Sequence, residues 1–186
     1  MSCLPNGEEA LAIRSFQASG FCIKMITIRL AGESDFESIL RLNDDEVRHT
    51  SPMDRERLHY LNSISSFHKV ACVDGAVAAF LLAMRHDAPY VNDNFCWFAA
   101  RYEAFLYVDR IVVSAASGRH GLGSLLYTDL FQFARSNHLP LVTCEYNIVP
   151  ANEPSRRFHD KFGFREQGTQ WVSNGSKQVS LQVAQT

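Results

Sequence analysis

The chain has 186 residues, with 18 basic and 20 acidic side chains and a net charge of −2. Its length and a hydrophobic share of 46% fit one folded, soluble domain that needs neither disulfide nor metal to bury a core. The near-even charge excludes a general nucleic-acid binder, and the composition excludes disorder and repeat architectures.

Residues 1–24 read as an extension of unknown role, with a helix over Glu8–Phe16 and a start-site artefact both open. Gly7, Glu8, Glu9, Arg14 and Gln17 interrupt any signal-peptide core. A single domain, 25–186, follows from Met25. Ile26–Leu30 alternates as a strand. Ser34 and Glu37 form a capping box for a helix with Phe36, Ile39 and Leu40 on its apolar face. Ser51-Pro52 starts a second helix over Asp54–Ile64. Lys69–Val73 and Val77–Met84 are strands joined by Asp74-Gly75, a strong hairpin signal. An aromatic-rich insertion, 86–98, runs into a helix reaching Tyr102. Its Tyr90, Phe95 and Trp97 are candidates for setting specificity.

Phe105–Val113 is a long strand, and the loop Ser114–His120 leads into a helix from Gly121 to about Asn137. Leu122, Leu125, Leu126, Leu130, Phe133 and Ala134 recur on one face of that helix. Leu141–Tyr146 is the next strand. Asn152 caps a short helix closed by Gly163, and Arg165–Val172 and Gln178–Val183 flank a turn at Asn174-Gly175. A hairpin before a central βαβ unit predicts an α/β (α+β) fold, with a mixed sheet and helices on both faces.

Cys3, Cys22, Cys72, Cys96 and Cys144 are odd in number and form no CxxC, so they read as free thiols in a reducing compartment. The seven histidines show no HxxxH spacing, so no metal site is expected. No apolar run nears the ~18–20 residues of a membrane span, so no membrane association is expected. The cytoplasm is the expected location.

The stretch from Asp109 to Leu126 carries the chemistry. A buried strand feeds a loop with Gly118, Gly121 and Gly123 that becomes a helix, an arrangement suited to phosphate or pyrophosphate. No Gly-Lys-Ser/Thr follows, so it is no P-loop. The third glycine of a dinucleotide fingerprint would fall on Leu126, which argues against a nicotinamide enzyme.

Gly118-Arg119-His120-Gly121-Leu122-Gly123 resembles the [QR]-x-x-G-x-[GA] signature of the GNAT superfamily of acyl-CoA-dependent N-acetyltransferases, with Gly118 in place of Gln or Arg. Asn152, Ser155, Phe158, His159, Gly163 and Phe164 match a second element of that family, with His159 where Tyr is usual. The likeness runs from residue 25 to about 183. It implies a mostly antiparallel central sheet whose fourth and fifth strands, Phe105–Val113 and Leu141–Tyr146, splay apart. Acetyl-CoA would be the co-substrate, its pantetheine paired with Ile111, Val112 and Val113. Its pyrophosphate would lie on N–H groups from Arg119 to Ser124, with Asn152, Ser155 and Phe158 beyond.

A primary amine, on a small molecule or a peptide, would then attack directly in a ternary complex. Glu145 and Asp109 are the candidate bases, and Asp109 has a structural pairing with Arg110, Arg101 or a neighbouring strand as its alternative. A backbone N–H near Val112 or Val113 would meet the oxyanion, and His159 would protonate the leaving thiolate. Arg156, Arg157 and Lys161 are either a solvated face or a contact to the 3′-phosphate. Asn43, Asp44, Asp45 and Glu46 could draw in a cationic amine. A homodimer is expected from family habit. The competing reading is a non-catalytic acyl-CoA-binding sensor, suggested by Gly118 and His159.

Overall fold

The computed structural model describes residues 9–14, 23–47 and 50–186, with the side chains of 9–14, 23, 118 and 119 outside that description. The described strands are β1 (Glu9–Arg14), β2 (Ile23–Leu30), β3 (Phe67–Val73), β4 (Ala76–Arg85), β5 (Leu106–Val113), β6 (Leu141–Val149), β7 (Arg165–Val172) and β8 (Lys177–Gln185). The helices are α1 (Phe36–Asp45), α2 (Arg55–Ile64), α3 (Asp93–Ala99), α4 (Leu122–Ser136) and α5 (Glu153–Asp160). One sheet runs in the order β1-β2-β3-β4-β5-β6-β8-β7. Every pair is antiparallel except β5 with β6.

Local chemistry accounts for most boundaries. Asp54 caps α2 by accepting the Arg57 N–H at 2.7 Å, and Asp74 (φ 52°) with Gly75 (φ 84°) makes the β3–β4 turn. Two details differ from the sequence reading. Asp35, not Ser34, organises the entry to α1: its carboxylate accepts the Gly32 N–H at 2.9 Å and both arms of Arg29 at 2.6 and 2.7 Å. Glu9–Arg14 is a strand rather than part of a helix. It pairs with the free edge of β2, whose unpaired backbone groups favour an added strand.

Helices cover both faces. On one, α4, Phe158 of α5 and Phe162 in the turn after it pack with Leu106, Val108, Val142 and Cys144. On the other, α1, α2 and α3 pack with Phe80, Leu82, Phe105 and Tyr107. One β-bulge joins the two halves. Across β4–β5, Leu82 faces Arg110 and Ala83 faces Val108, which leaves Asp109 as an extra residue. Simple alternation would put Ile111 and Val113 on the face of Phe105 and Tyr107. The bulge reverses the sides, so Ile111 and Val113 instead join the α4 face while Val112 joins the α1–α3 face.

Candidate active site

The parallel strands β5 and β6 pair only at Leu106 with Val142 and Tyr107 with Thr143. Beyond that point β6 follows β8 and β5 follows β4, so the two strands part. A cleft of about 760 Å³ opens between them, lined from both faces of the sheet.

Its α4 side is built of backbone. The Ser114 N–H binds the Ala78 carbonyl at 2.8 Å. By antiparallel alternation Val112 then bonds to Phe80, and the N–H and C=O groups of Ile111 and Val113 point into the gap. The first bond of α4 runs from Leu125 N–H to the Gly121 carbonyl at 3.0 Å. The N–H groups of Leu122, Gly123 and Ser124 precede it and are free for an anion. Gly121 takes φ +69°, a conformation that favours glycine. A Cβ on Gly123 would come within 3.3 Å of the Phe158 ring and 3.5 Å of Val113, so glycine lets α4, α5 and β5 converge. Asn152 caps α5 by accepting the Ser155 N–H at 3.1 Å.

Ile111, Val113, Gly121, Leu122, Gly123, Ser124, Asn152, Ser155, Phe158, His159, Glu145 and Lys161 all line this cleft, which brings eleven of the candidate site residues together with Lys161. Val112 does not; its side chain is buried against the α1–α3 core. His120 turns back on its own loop, its Nδ1 3.2 Å from the Ser117 carbonyl. The side chain of Arg119, beside Gly118, lies outside the described residues.

Two carboxylates meet at the throat. Asp109, at the bulge, accepts from Arg110 Nε at 2.7 Å and from the Tyr90 hydroxyl. Arg110 in turn donates to Asn43 Oδ1 at 2.8 Å and to Ser51 Oγ at 3.2 Å. Asp109 therefore has the structural pairing that was its alternative to a catalytic role. Glu145 differs. Its Oε1 accepts from Asn94 Nδ2 and from the Tyr107 hydroxyl, both at 2.9 Å. Its Oε2 is buried with no partner. Burial, and then the charge of Asp109, push the Glu145 carboxyl up to about 8.

His159 does not fit the role of acid. It is buried, and burial pushes its pKa down to about 4, so the imidazolium is disfavoured. Its Nδ1 lies 2.8 Å from the Ser155 carbonyl, which can only accept, so Nδ1 carries the hydrogen. Nε2 then accepts from the Tyr127 hydroxyl at 2.8 Å. Both ring nitrogens are committed, and the ring stacks on Tyr146. Tyr127 was missed in the sequence because it lies within the leucine face of α4. Its signal was its place four residues after Gly123, on the side of the helix that faces α5.

The insertion contributes differently from expectation. Tyr90 and Phe95 are core residues, and Trp97 packs over Gly168 with Arg101 3.8 Å above its ring. The polar Asn92, Asp93 and Asn94 line the cleft instead. Asn92 caps α3, and Gln170 Nε2 donates to Asn94 Oδ1 at 3.2 Å, which turns the Asn94 amide nitrogen toward Glu145. Of the acidic stretch that ends α1, Glu46 at its C-cap lines the cleft, while the buried Asn43 serves Arg110. Arg156 pairs with Glu153 at 2.8 Å, as a solvated helix face does.

Comparison with known proteins gives a consistent picture. A family model described as the acetyltransferase (GNAT) family matches residues 34–164. The phosphinothricin N-acetyltransferase of Streptomyces coelicolor is 39% identical over 59 residues, which are 32% of this chain and 33% of that protein. The match thus spans about a third of the curated relative. Among solved structures, Ard1 from Thermoplasma volcanium superposes with a TM-score of 0.69 at 21% identity, covering 87% of this chain and 97% of that one. A putative acetyltransferase, yncA, from Salmonella typhimurium with its cofactor acetyl-CoA gives 0.65 at 20% identity, covering 86% and 93%.

Proposed function

The chain belongs to the acetyltransferase (GNAT) family, and on that premise we propose that it moves an acetyl group from acetyl-CoA to a primary amine in a ternary complex. Acetyl-CoA supplies the activated acyl group as a thioester. The free backbone edge of Ile111 and Val113 suits an extended amide-bearing arm, and the open first turn of α4 suits its pyrophosphate.

The observation that carries the reading is Glu145, held at the throat of a cleft that passes through the sheet, with one carboxylate oxygen unpartnered. An alkylammonium has a pKa of ~10.4, so transfer to an ordinary carboxylate is uphill by about 8 kcal/mol. Raising the base to about 8 reduces that to about 3 kcal/mol. The amine nitrogen bonds to the acyl carbon as the carbon–sulfur bond breaks. The nitrogen sheds two protons on its way from ammonium to amide: one goes to Glu145, and the other ends on the sulfur, which keeps the electron pair and leaves as the thiol. The outward N–H groups of β5, at Ile111 and Val113, are the donors available to the acyl oxygen, while that of Val112 is directed at Phe80.

A sensor without catalysis needs neither a tuned base nor a passage to the far face, so the enzyme is the better account. The compartment is the cytoplasm, where free thiols such as Cys72, Cys96 and Cys144 persist. The described helices include none long and apolar enough to cross a membrane. Thiol release from acetyl-CoA over a panel of primary amines tests the reading. Turnover on at least one amine is expected, and tight CoA binding with no turnover on any would overturn it.

A further inference from the structure

Side chains alternate along β6, so Leu141, Thr143, Glu145 and Asn147 share the face toward α1–α3 while Cys144 and Tyr146 face α4 and α5. Two members of that row, Glu145 and Asn147, line the cleft, and each holds a buried polar atom without a partner. On Glu145 it is the acceptor Oε2; on Asn147, itself 6% exposed, it is the donor Nδ2. Thr143 Oγ1 is also unpartnered, but Thr143 lies under the β5–β6 pairing and outside the cleft. Buried polar atoms are nearly always satisfied, so this adjacent acceptor and donor describe the complement of a ligand.

That complement is specific. Residues two apart in a strand are about 6.7 Å apart along it. A ligand bridging them needs a hydrogen-bond donor for Glu145 and an acceptor for Asn147. After two hydrogen bonds of about 2.9 Å each, bent rather than collinear, only two or three bonds remain between the ligand's own polar atoms. We propose that the acceptor is an α-amino carbonyl compound, H₂N–CHR–C=O, its amine on Glu145 Oε2 and its carbonyl oxygen on Asn147 Nδ2. This rests on Glu145 being the base. The shared chemistry has two sources, a free amino acid and the N-terminus of a peptide.

The experiment measures kcat/KM for thiol release from saturating acetyl-CoA with alaninamide and with isopropylamine, in the parent and in Asn147→Leu and Asn147→Ala. The two amines differ in basicity as well as in the carbonyl. That difference is the same in parent and variant and cancels in the ratio of ratios. The preference for alaninamide is expected to fall about ten- to a hundredfold in both variants, the range for a buried donor deprived of its partner. Thermal melting confirms which variants fold, and Asn147→Ala stands in if leucine overpacks. Alanine and trialanine, run beside alaninamide, separate a free amino acid from a chain terminus; the better of the two names the source. If the ratio is the same in parent and variants while both amines turn over, the carbonyl assignment is wrong and the acetyl-transfer reading stands. If no amine turns over, both fall together.

Discussion

The two strands that border the cleft each bring a carboxylate to its throat, and they treat it in opposite ways. On β5, Asp109 sits at a bulge with its side chain only 4% exposed, beside an Arg110 at 5%. The guanidinium neutralises it, Tyr90 donates to it, and Asn43 and Ser51 complete the arginine. On β6, Glu145 has only neutral donors, Asn94 and Tyr107, and one oxygen without a partner. Burial without a counter-ion raises the Glu145 carboxyl group. Proximity to the throat therefore does not distinguish the proposed base from the brace; the partners do. The same charge on Asp109 also helps hold Glu145 up, so the brace tunes the base.

The sharpest way to break this contrast is Glu145→Gln. It keeps the bond to Tyr107 but cannot take a proton, so kcat should fall by about 10²–10⁴, the range for a positioned base. CoA affinity, read by titration calorimetry, should change little. Arg110→Met attacks the other carboxylate. It strands Asp109 as an unpaired buried charge, a change that costs roughly 3–5 kcal/mol. For a chain of this size that is roughly 10 °C of melting temperature. If Arg110→Met melts with the parent, Asp109 is not a brace.

How much of this was readable in the letters depends on whether the signal was local. The Asp74-Gly75 turn, the Asn152 cap, the Gly121–Gly123 loop and the amphipathic α4 are all fixed within a few residues, and a mixed sheet with helices on both faces follows from the order of the elements, whereas the mostly antiparallel pairing with its splayed pair came from the family resemblance. The α4 half of the cleft was legible for the same reason. Everything that sets the charge of Glu145 is non-local: Asn94 is 51 residues away and Tyr107 is 38. The bulge at Asp109 depends on the register with β4, so strict alternation misassigned Ile111 and Val113. His159 was misjudged because a motif position conveys location but not enclosure; Tyr127, Ser155 and Tyr146 surround the ring from three elements.

The pH dependence reports on Glu145. Glu145 must be ionised to act, so the rate should rise with pH to a midpoint near 8. Its folded pKa lies above the ordinary carboxyl value near 4.5. The folded state therefore binds more protons than the unfolded one between those values, and this contribution to stability is full below about 4.5 and lost as pH rises through about 8. Urea midpoints should show Glu145→Gln flattening that decline. A parent midpoint that does not fall from pH 5 to pH 9 relative to Glu145→Gln would mean the carboxyl is not raised.

The smallest effect expected is at Asn94, and it is the most specific. Its amide nitrogen favours the ionised Glu145, and Gln170 keeps the amide from turning over. Asn94→Leu removes that bond without adding charge, so the midpoint of the rate profile should move upward by about one unit, the low end of the ~1.5–3 kcal/mol worth of one hydrogen bond to a charged group. The plateau rate above pH 9 should stay within a few-fold of the parent, since the base itself is intact. Gln170→Leu should move the midpoint the same way by less, because it frees Asn94 to rotate instead of removing it. A residue that only supported the fold would lower the plateau and leave the midpoint alone. An unmoved midpoint in Asn94→Leu would thus reassign Asn94 from tuning the base to packing α3 against β6.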